Sequence, residues 1–217
     1  MKLVVFNGSP RGTGSNTKIL MDAFLEGYAP GDAVKPDQRF IYRERDEILI
    51  ESFTESDTVI IAFPLYTDSV PGKVKYFLEK LEDLEWTGKR IGVVVQSGFP
   101  EAIHTSFIAG YFERLCRKMG AEYIGSAIRG GVEGIQIQPE KWTAKLKDRF
   151  RRLGEGLKRT GTFDEEILKD LRKPWKLGPG RRFVYTLMSR AGLANFYWDR
   201  NLKKNNAYEK RFDRPYG

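Results

Sequence analysis

The run TVIIAF at Thr58 to Phe63 carries no polar alternation and stops at Pro64. A strand of that kind is covered on both faces, which in practice means a parallel sheet with helices above and below it. Two more runs of the same character flank it, KLVVFN at 2–7 and IGVVVQ at 91–96. Each gives way to a loop rich in Gly, Ser and Pro, and each loop to an apolar pattern of helical period. Ile19, Leu20, Ala23, Phe24 and Gly27 follow the first run, with Ser15 or Asn16 placed to cap a helix. Val74, Phe77, Leu78 and Leu81 follow the second, in a helix expected from about Lys73 to Leu84. A helix over Ile103 to Met119 follows the third. Arg39 to Tyr42 and Glu122 to Ile128 supply two weaker strands, and Asp46 to Glu55 reads as a helix. Five strands alternating with helices imply right-handed crossovers and a doubly wound α/β fold. In such folds ligands sit beyond the carboxyl ends of the strands.

From Lys141 strand patterns disappear. The segment 142–159 predicts a helix with Trp142, Leu146, Phe150 and Leu153 on its inner side, and a short helix near Lys173 and another around Phe183 to Arg190 follow. With 217 residues the chain is long enough for one core and an appendage. The expected division is a main domain over 1–160 and a helical, basic C-terminal extension over 161–217. Charge supports it: residues 1–140 hold 16 basic and 20 acidic groups, and residues 141–217 hold 21 and 9.

No stretch approaches the roughly 18 apolar residues of a membrane span, and the opening MKLVVFNGSP turns polar too early for a secretion signal, so a cytoplasmic protein is expected. One cysteine, Cys116, excludes an internal disulfide and a cysteine-ligated metal or iron-sulfur site within one chain; no metal is expected. With Leu115 and Met119 beside it on a helix, Cys116 reads as core.

Chemistry concentrates in the loops. GSPRGTGSNT at 8–17 offers the hydroxyls of Ser9, Ser15 and Thr17, the amide of Asn16, the guanidinium of Arg11 and the N–H groups of a helix start. These are the donors a phosphate dianion needs. The loop is neither a P-loop nor a GxGxxG turn.

GSPRGTGSNT after KLVVFN, followed by PLYTDSVPGKVKYFLEKL after TVIIAF, resembles the NADPH-dependent FMN reductase branch of the flavodoxin-like superfamily over roughly residues 1 to 158. That branch is related to the multimeric flavodoxin-type quinone reductases and the iron-sulfur flavoproteins. The resemblance implies a flavodoxin-like five-stranded parallel sheet of order 2-1-3-4-5. It implies FMN as cofactor, with Ser9, Arg11, Ser15, Asn16 and Thr17 on its phosphate. Pro64, Leu65, Tyr66, Thr67, Asp68 and Ser69 would line the isoalloxazine, and Ser97, Gly98 and Phe99 would complete the pocket. It further implies an NAD(P)H oxidoreductase, with NADPH or NADH as co-substrate and a quinone or other small oxidised acceptor, working as a homodimer or tetramer. No catalytic side chain is demanded, because the chemistry is borne by the flavin. His104 could touch an acceptor, or it is a solvated residue at a helix start. The chain departs from the iron-sulfur flavoproteins in lacking their cysteine cluster, and from plain FMN reductases in its tail. A non-enzymatic flavodoxin-like electron carrier and a flavodoxin-fold binding protein with an interaction tail are the alternative readings; the basic tail argues against the first.

That tail, RRFVYTLMSRAGLANFYWDRNLKK, sets Phe183, Val184, Leu187, Met188, Leu193, Phe196, Tyr197 and Trp198 among Arg181, Arg182, Arg190, Arg200, Lys203 and Lys204. A basic amphipathic helix can lie on an anionic membrane surface; the preferred expectation is a helix packed on its own domain or on a partner subunit, with its charges solvated. Nucleic acid is not expected as a partner, since no recognised module accompanies the charge.

Overall fold

The computed structural model describes residues 2–31, 33–192 and 195–214, without the side chain of Tyr197. Leu193 and the closing residues 215–217 of the tail therefore lie outside the described residues. The described chain forms two compact units, one ending at Lys176 and one beginning at Leu177.

The first unit is a parallel sheet of β1 (Leu3–Asn7), β2 (Asp37–Phe40), β3 (Thr58–Pro64), β4 (Arg90–Gln96) and β5 (Glu122–Arg129), in the order β2-β1-β3-β4-β5. This is the flavodoxin-like arrangement expected. Alternate residues of the buried strands serve two cores. Leu3, Val5, Ile60, Ala62 and Val94 face α1 (Asn16–Tyr28), α5 (Glu140–Thr160) and α6 (Glu165–Leu171). Val4, Phe6, Val59, Ile61, Phe63, Val93 and Val95 face α2 (Asp46–Thr54), α3 (Gly72–Lys80) and α4 (Ser106–Met119). Because both faces are covered, β1, β3 and β4 read as continuous apolar runs.

Several boundaries differ from the sequence expectation. β2 begins and ends two residues earlier, since this outer strand carries polar Asp37 to Arg39 and its buried apolar residue, Ile41, lies just past it. α3 closes at Lys80 rather than Leu84, and α4 is preceded by a 3-10 turn over Ala102–Thr105. Trp142 does not face inward: it is 67% exposed, and Thr143, one residue on, takes the buried position in the first turn of α5.

α1 and α5 touch at their backbones. A Cβ on Gly154 would collide with the Phe24 carbonyl oxygen, and one on Gly27 with the Arg151 carbonyl oxygen, so only glycine permits this spacing. α6 also belongs to this core. Phe163 fills the space above Gly92, whose Cβ would stand 2.9 Å from the Phe163 ring, and Leu168 covers Gly125. The division expected at residue 160 thus falls inside the first unit. The second unit holds α7 (Pro179–Arg190) and α8 (Phe196–Lys204). No helix among the described residues is long and apolar enough to cross a membrane.

Candidate functional site

The site is built where β1 and β3 end side by side. β1 hands over to the first loop at Asn7, whose side-chain Oδ1 accepts the Ser9 N–H at 3.0 Å and turns the chain. Gly8 follows because a Cβ there would strike the Val74 side chain of α3. Gly12 takes φ +58°, a left-handed conformation that opens a 3-10 turn over Gly12–Gly14. Ser15 then caps α1, its Oγ accepting the Lys18 N–H at 3.1 Å. Asn16 and Thr17, as the first residues of the helix, have N–H groups with no intrahelical acceptor. Ser9, Ser15, Asn16 and Thr17 are all buried, and Arg11 is exposed at the loop's rim.

The second loop continues the sheet before it leaves it: the Leu65 N–H donates to the Gln96 carbonyl at 2.8 Å. Tyr66 and Ser69 bridge a tight turn in which Thr67 (φ 50°) and Asp68 (φ 55°) are both left-handed. Two non-glycine residues in that region store conformational strain of the kind that accompanies functional loops. The third loop is fixed likewise, with the Ser97 N–H on the Arg129 carbonyl at 3.0 Å. The ring of Phe99, 61% exposed, lies 5.3 Å from that of His104, which pairs with Glu101 at 3.6 Å.

These loops meet. Ser9, Arg11, Asn16, Pro64, Leu65, Tyr66, Ser97 and Gly98 surround one cavity of about 30 Å³. That is room for a single small group. Ser15 and Thr17 are not among the residues lining it, and the Thr17 hydroxyl accepts from the Gln96 amide at 3.5 Å. Thr67, Asp68, Ser69 and Phe99 lie outside that cavity and are exposed. A larger hollow of about 530 Å³ opens at the amino ends of β1 and β2, among Lys2, Asp37, Arg39 and Glu55. It is at the wrong end of the sheet for a doubly wound fold to hold its ligand.

A fourth segment, between β5 and α5, completes the cavity, and the sequence reading passed over it. The Asn16 amide donates to the Val132 carbonyl at 3.2 Å, while the Gln136 amide donates to the Gly14 carbonyl at 2.7 Å and to Asn16 Oδ1 at 3.0 Å. Glu133 lines the cavity and forms an ion pair with Arg11. The same segment holds the third loop, through Gly131 N–H to Phe99 O and Val132 N–H to Ser97 O. Gln96 and Asn7 carry no motif signal either; Asn7 Nδ2 is buried without a hydrogen-bond partner among the described residues. The signal available was a cluster of amides beside strand ends. The carbonyls of Pro174 and Trp175 accept the Ala102 and Ile103 N–H groups and so hold the 3-10 turn that follows the third loop.

Burial raises the phenol of Tyr66 above its ordinary range, against the pull of Arg11 and with the help of Glu133. Cys116 is fully buried, and burial pushes its thiol up to about 12. It takes no part in the site. Among the described residues no cluster suited to a metal ion occurs.

A model of the family described as NADPH-dependent FMN reductase matches residues 1–109, just over half of the chain. The chain belongs to that family. FMN is its cofactor, with NADPH or NADH as co-substrate, and its general activity is that of an FMN-dependent oxidoreductase. The donor set fits: the Ser9 hydroxyl, the Arg11 guanidinium and the amide of Asn16 at the start of α1 converge on one cavity. By sequence, no curated protein matches.

Among solved structures the FMN reductase fold recurs at low identity. An NADPH-quinone reductase from P. pentosaceus is 18% identical, with a TM-score of 0.55 over 70% of this chain and 96% of that one. The Trp repressor binding protein from Bacillus subtilis is 23% identical, with 0.55 over 73% and 99%. An FMN-dependent NADH-azoreductase from Bacillus anthracis, solved with FMN, is 15% identical, with 0.53 over 73% and 100%. These likenesses speak to fold.

Proposed function

We propose that the protein passes reducing equivalents from NAD(P)H to a quinone or another small oxidised acceptor, using FMN whose phosphate lies in the β1–α1 loop. The observation that carries this reading is the convergence of four loops on one small polar cavity at the end of β1 and β3. Its size suits a phosphate and leaves the flavin ring to the open ground bounded by the exposed Tyr66 and Phe99.

In this reading Ser9, Arg11 and Asn16 and the N–H groups of Asn16 and Thr17 hold the phosphate, with the Ser15 and Thr17 hydroxyls behind them. Pro64 to Ser69 support the ring, their backbone fixed by the Leu65 hydrogen bond to Gln96. Ser97, Gly98 and Phe99 close the far side. When bound, FMN supplies a ring that exchanges hydride at N5. The chain's part is to orient that ring and to leave one face open to a planar acceptor. The quinone reductase and the azoreductase named above support that choice. Exposed Tyr66, Phe99 and Phe107 (77% exposed) further support pairing of two or more copies near the site.

The test separates phosphate from ring. Apoprotein titrated with FMN and with riboflavin is expected to bind FMN at least 100-fold more tightly, about 2.7 kcal/mol. Equal affinities would remove the phosphate from the loop. NADPH oxidation that rises with added quinone is expected; oxidation indifferent to quinone would dismiss the acceptor.

A further inference from the structure

α7 is a 12-residue helix with no buried residue, although a third of it is strongly apolar. Phe183, Val184, Leu187 and Met188 stand at i, i+1, i+4 and i+5, which places them on one face about 140° wide. Phe183 is 71% exposed and Leu187 58%. At 100° per residue, Arg181 falls beside one edge of that face and Arg190 beside the other, with Arg182 on the opposite side. The helix contains no acidic residue, and none of the three arginines makes an ion pair among the described residues. From residue 177 to the end there are nine basic groups against three acidic ones.

We infer that α7 lies flat on an anionic lipid surface, Phe183 and Leu187 entering the acyl boundary and Arg181 and Arg190, at its edges, reaching the headgroups. Charge decides the occupant. A second copy offers little attraction, because residues 1–176 carry 28 basic and 26 acidic groups and α7 itself only repels α7. Guanidinium groups bordering an apolar face on both sides match an interface that is apolar below and anionic above. The helix is about 18 Å long, too short to span a bilayer, and lies along its surface. This docking does not depend on the flavin reading and is tested without flavin or nicotinamide.

Full-length protein is floated with phosphatidylcholine vesicles, alone and with 30 mol% phosphatidylglycerol (about one lipid in three, enough for a negative surface). Binding to the anionic vesicles at low salt is expected to exceed that to neutral ones by at least tenfold and to fall at 0.5 M salt, where charges are screened beyond about 4 Å. Leu187→Glu is expected to abolish flotation. Arg181→Gln with Arg190→Gln is expected to weaken it about 25-fold, roughly fivefold per charge near the surface. Circular dichroism and the thermal unfolding midpoint, unchanged in both variants, report that the first unit is folded. Flotation equal on neutral and anionic vesicles, or untouched by Leu187→Glu, overturns the inference. So does an oligomer that dissociates on Leu187→Glu in a protein that never floats, which would give the face to a second copy.

Discussion

The Arg11 guanidinium stands 3.3 Å from the Glu133 carboxylate, joining the first loop of the sheet to the segment after its last strand. Both side chains retain solvent contact, at 48% and 29% exposure, so the pair is worth at most about 1 kcal/mol. It nonetheless sets an anion beside the cavity proposed for a phosphate. Glu133→Gln should therefore release Arg11 and tighten FMN binding by a factor of about 2 to 5, read by fluorescence titration of the apoprotein. Arg11→Ala should weaken it by roughly tenfold. Weaker binding in Glu133→Gln would make the acid a support for Arg11 rather than its competitor.

Ser9 and Ser15 should separate by the measurement they move. Ser15 Oγ already caps α1, so Ser15→Ala should cost about 1 kcal/mol of stability in denaturant unfolding. The Ser9 hydroxyl has no partner among the described residues, and Ser9→Ala should lower FMN affinity severalfold while leaving the melting temperature of the apoprotein in place. Matching effects of the two variants on stability would contradict this division.

Glycines two residues apart on α5 should respond with opposite signs. An alanine in a helix interior normally stabilises by up to about 1 kcal/mol relative to glycine. At Gly156 the nearest atom to a new Cβ is Asp164 Cβ at 3.8 Å, an ordinary contact, so Gly156→Ala should be neutral or stabilising. Gly154→Ala meets the Phe24 carbonyl and must push α1 and α5 apart, at a cost of about 1–3 kcal/mol. Thermal unfolding of both variants decides the matter.

Cys116 makes an alkaline prediction. Its thiol is held neutral in the fold up to about 12, whereas in the unfolded chain it ionises near 8.5. Between those values the unfolded state has lost a proton the native state keeps, so stability falls as pH rises. The contribution is complete below about 8.5 and gone above about 12. Cys116→Ala should flatten the decline in unfolding midpoint across that window. A thiol reagent at pH 8 should label wild type only once denaturant is added.

What the sequence made legible is what local pattern encodes. β1, β3 and β4 declare themselves because two-sided burial leaves no polar residue in their middles, and the loop 8–17 because its donors are consecutive. β2 begins two residues before its sequence pattern does, since an outer strand with Asp37, Gln38 and Arg39 has no apolar run to mark it. The spacing of Trp142 from Leu146 points it inward, but the start of α5 at Glu140 gives the inward position to Thr143. Glu133 and Gln136 stayed hidden because their partners, Arg11 and Gly14, lie 122 residues away in each case. Phe163 and α6 read as tail for the same reason: the glycines they cover, Gly92 and Gly125, become a groove only when β4 and β5 lie side by side.

The contact of α1 with α5 also has a temporal side. Gly27 leaves the ribosome early, yet the backbone it touches, at Arg151, is made more than a hundred residues later. At about 5–20 residues per second the first helix waits on the order of 6 to 25 seconds with its apolar side bare. During that interval Leu20, Phe24 and the neighbouring β1 depend on whatever attends the emerging chain, so conditions that slow translation should enlarge the aggregated fraction of this protein.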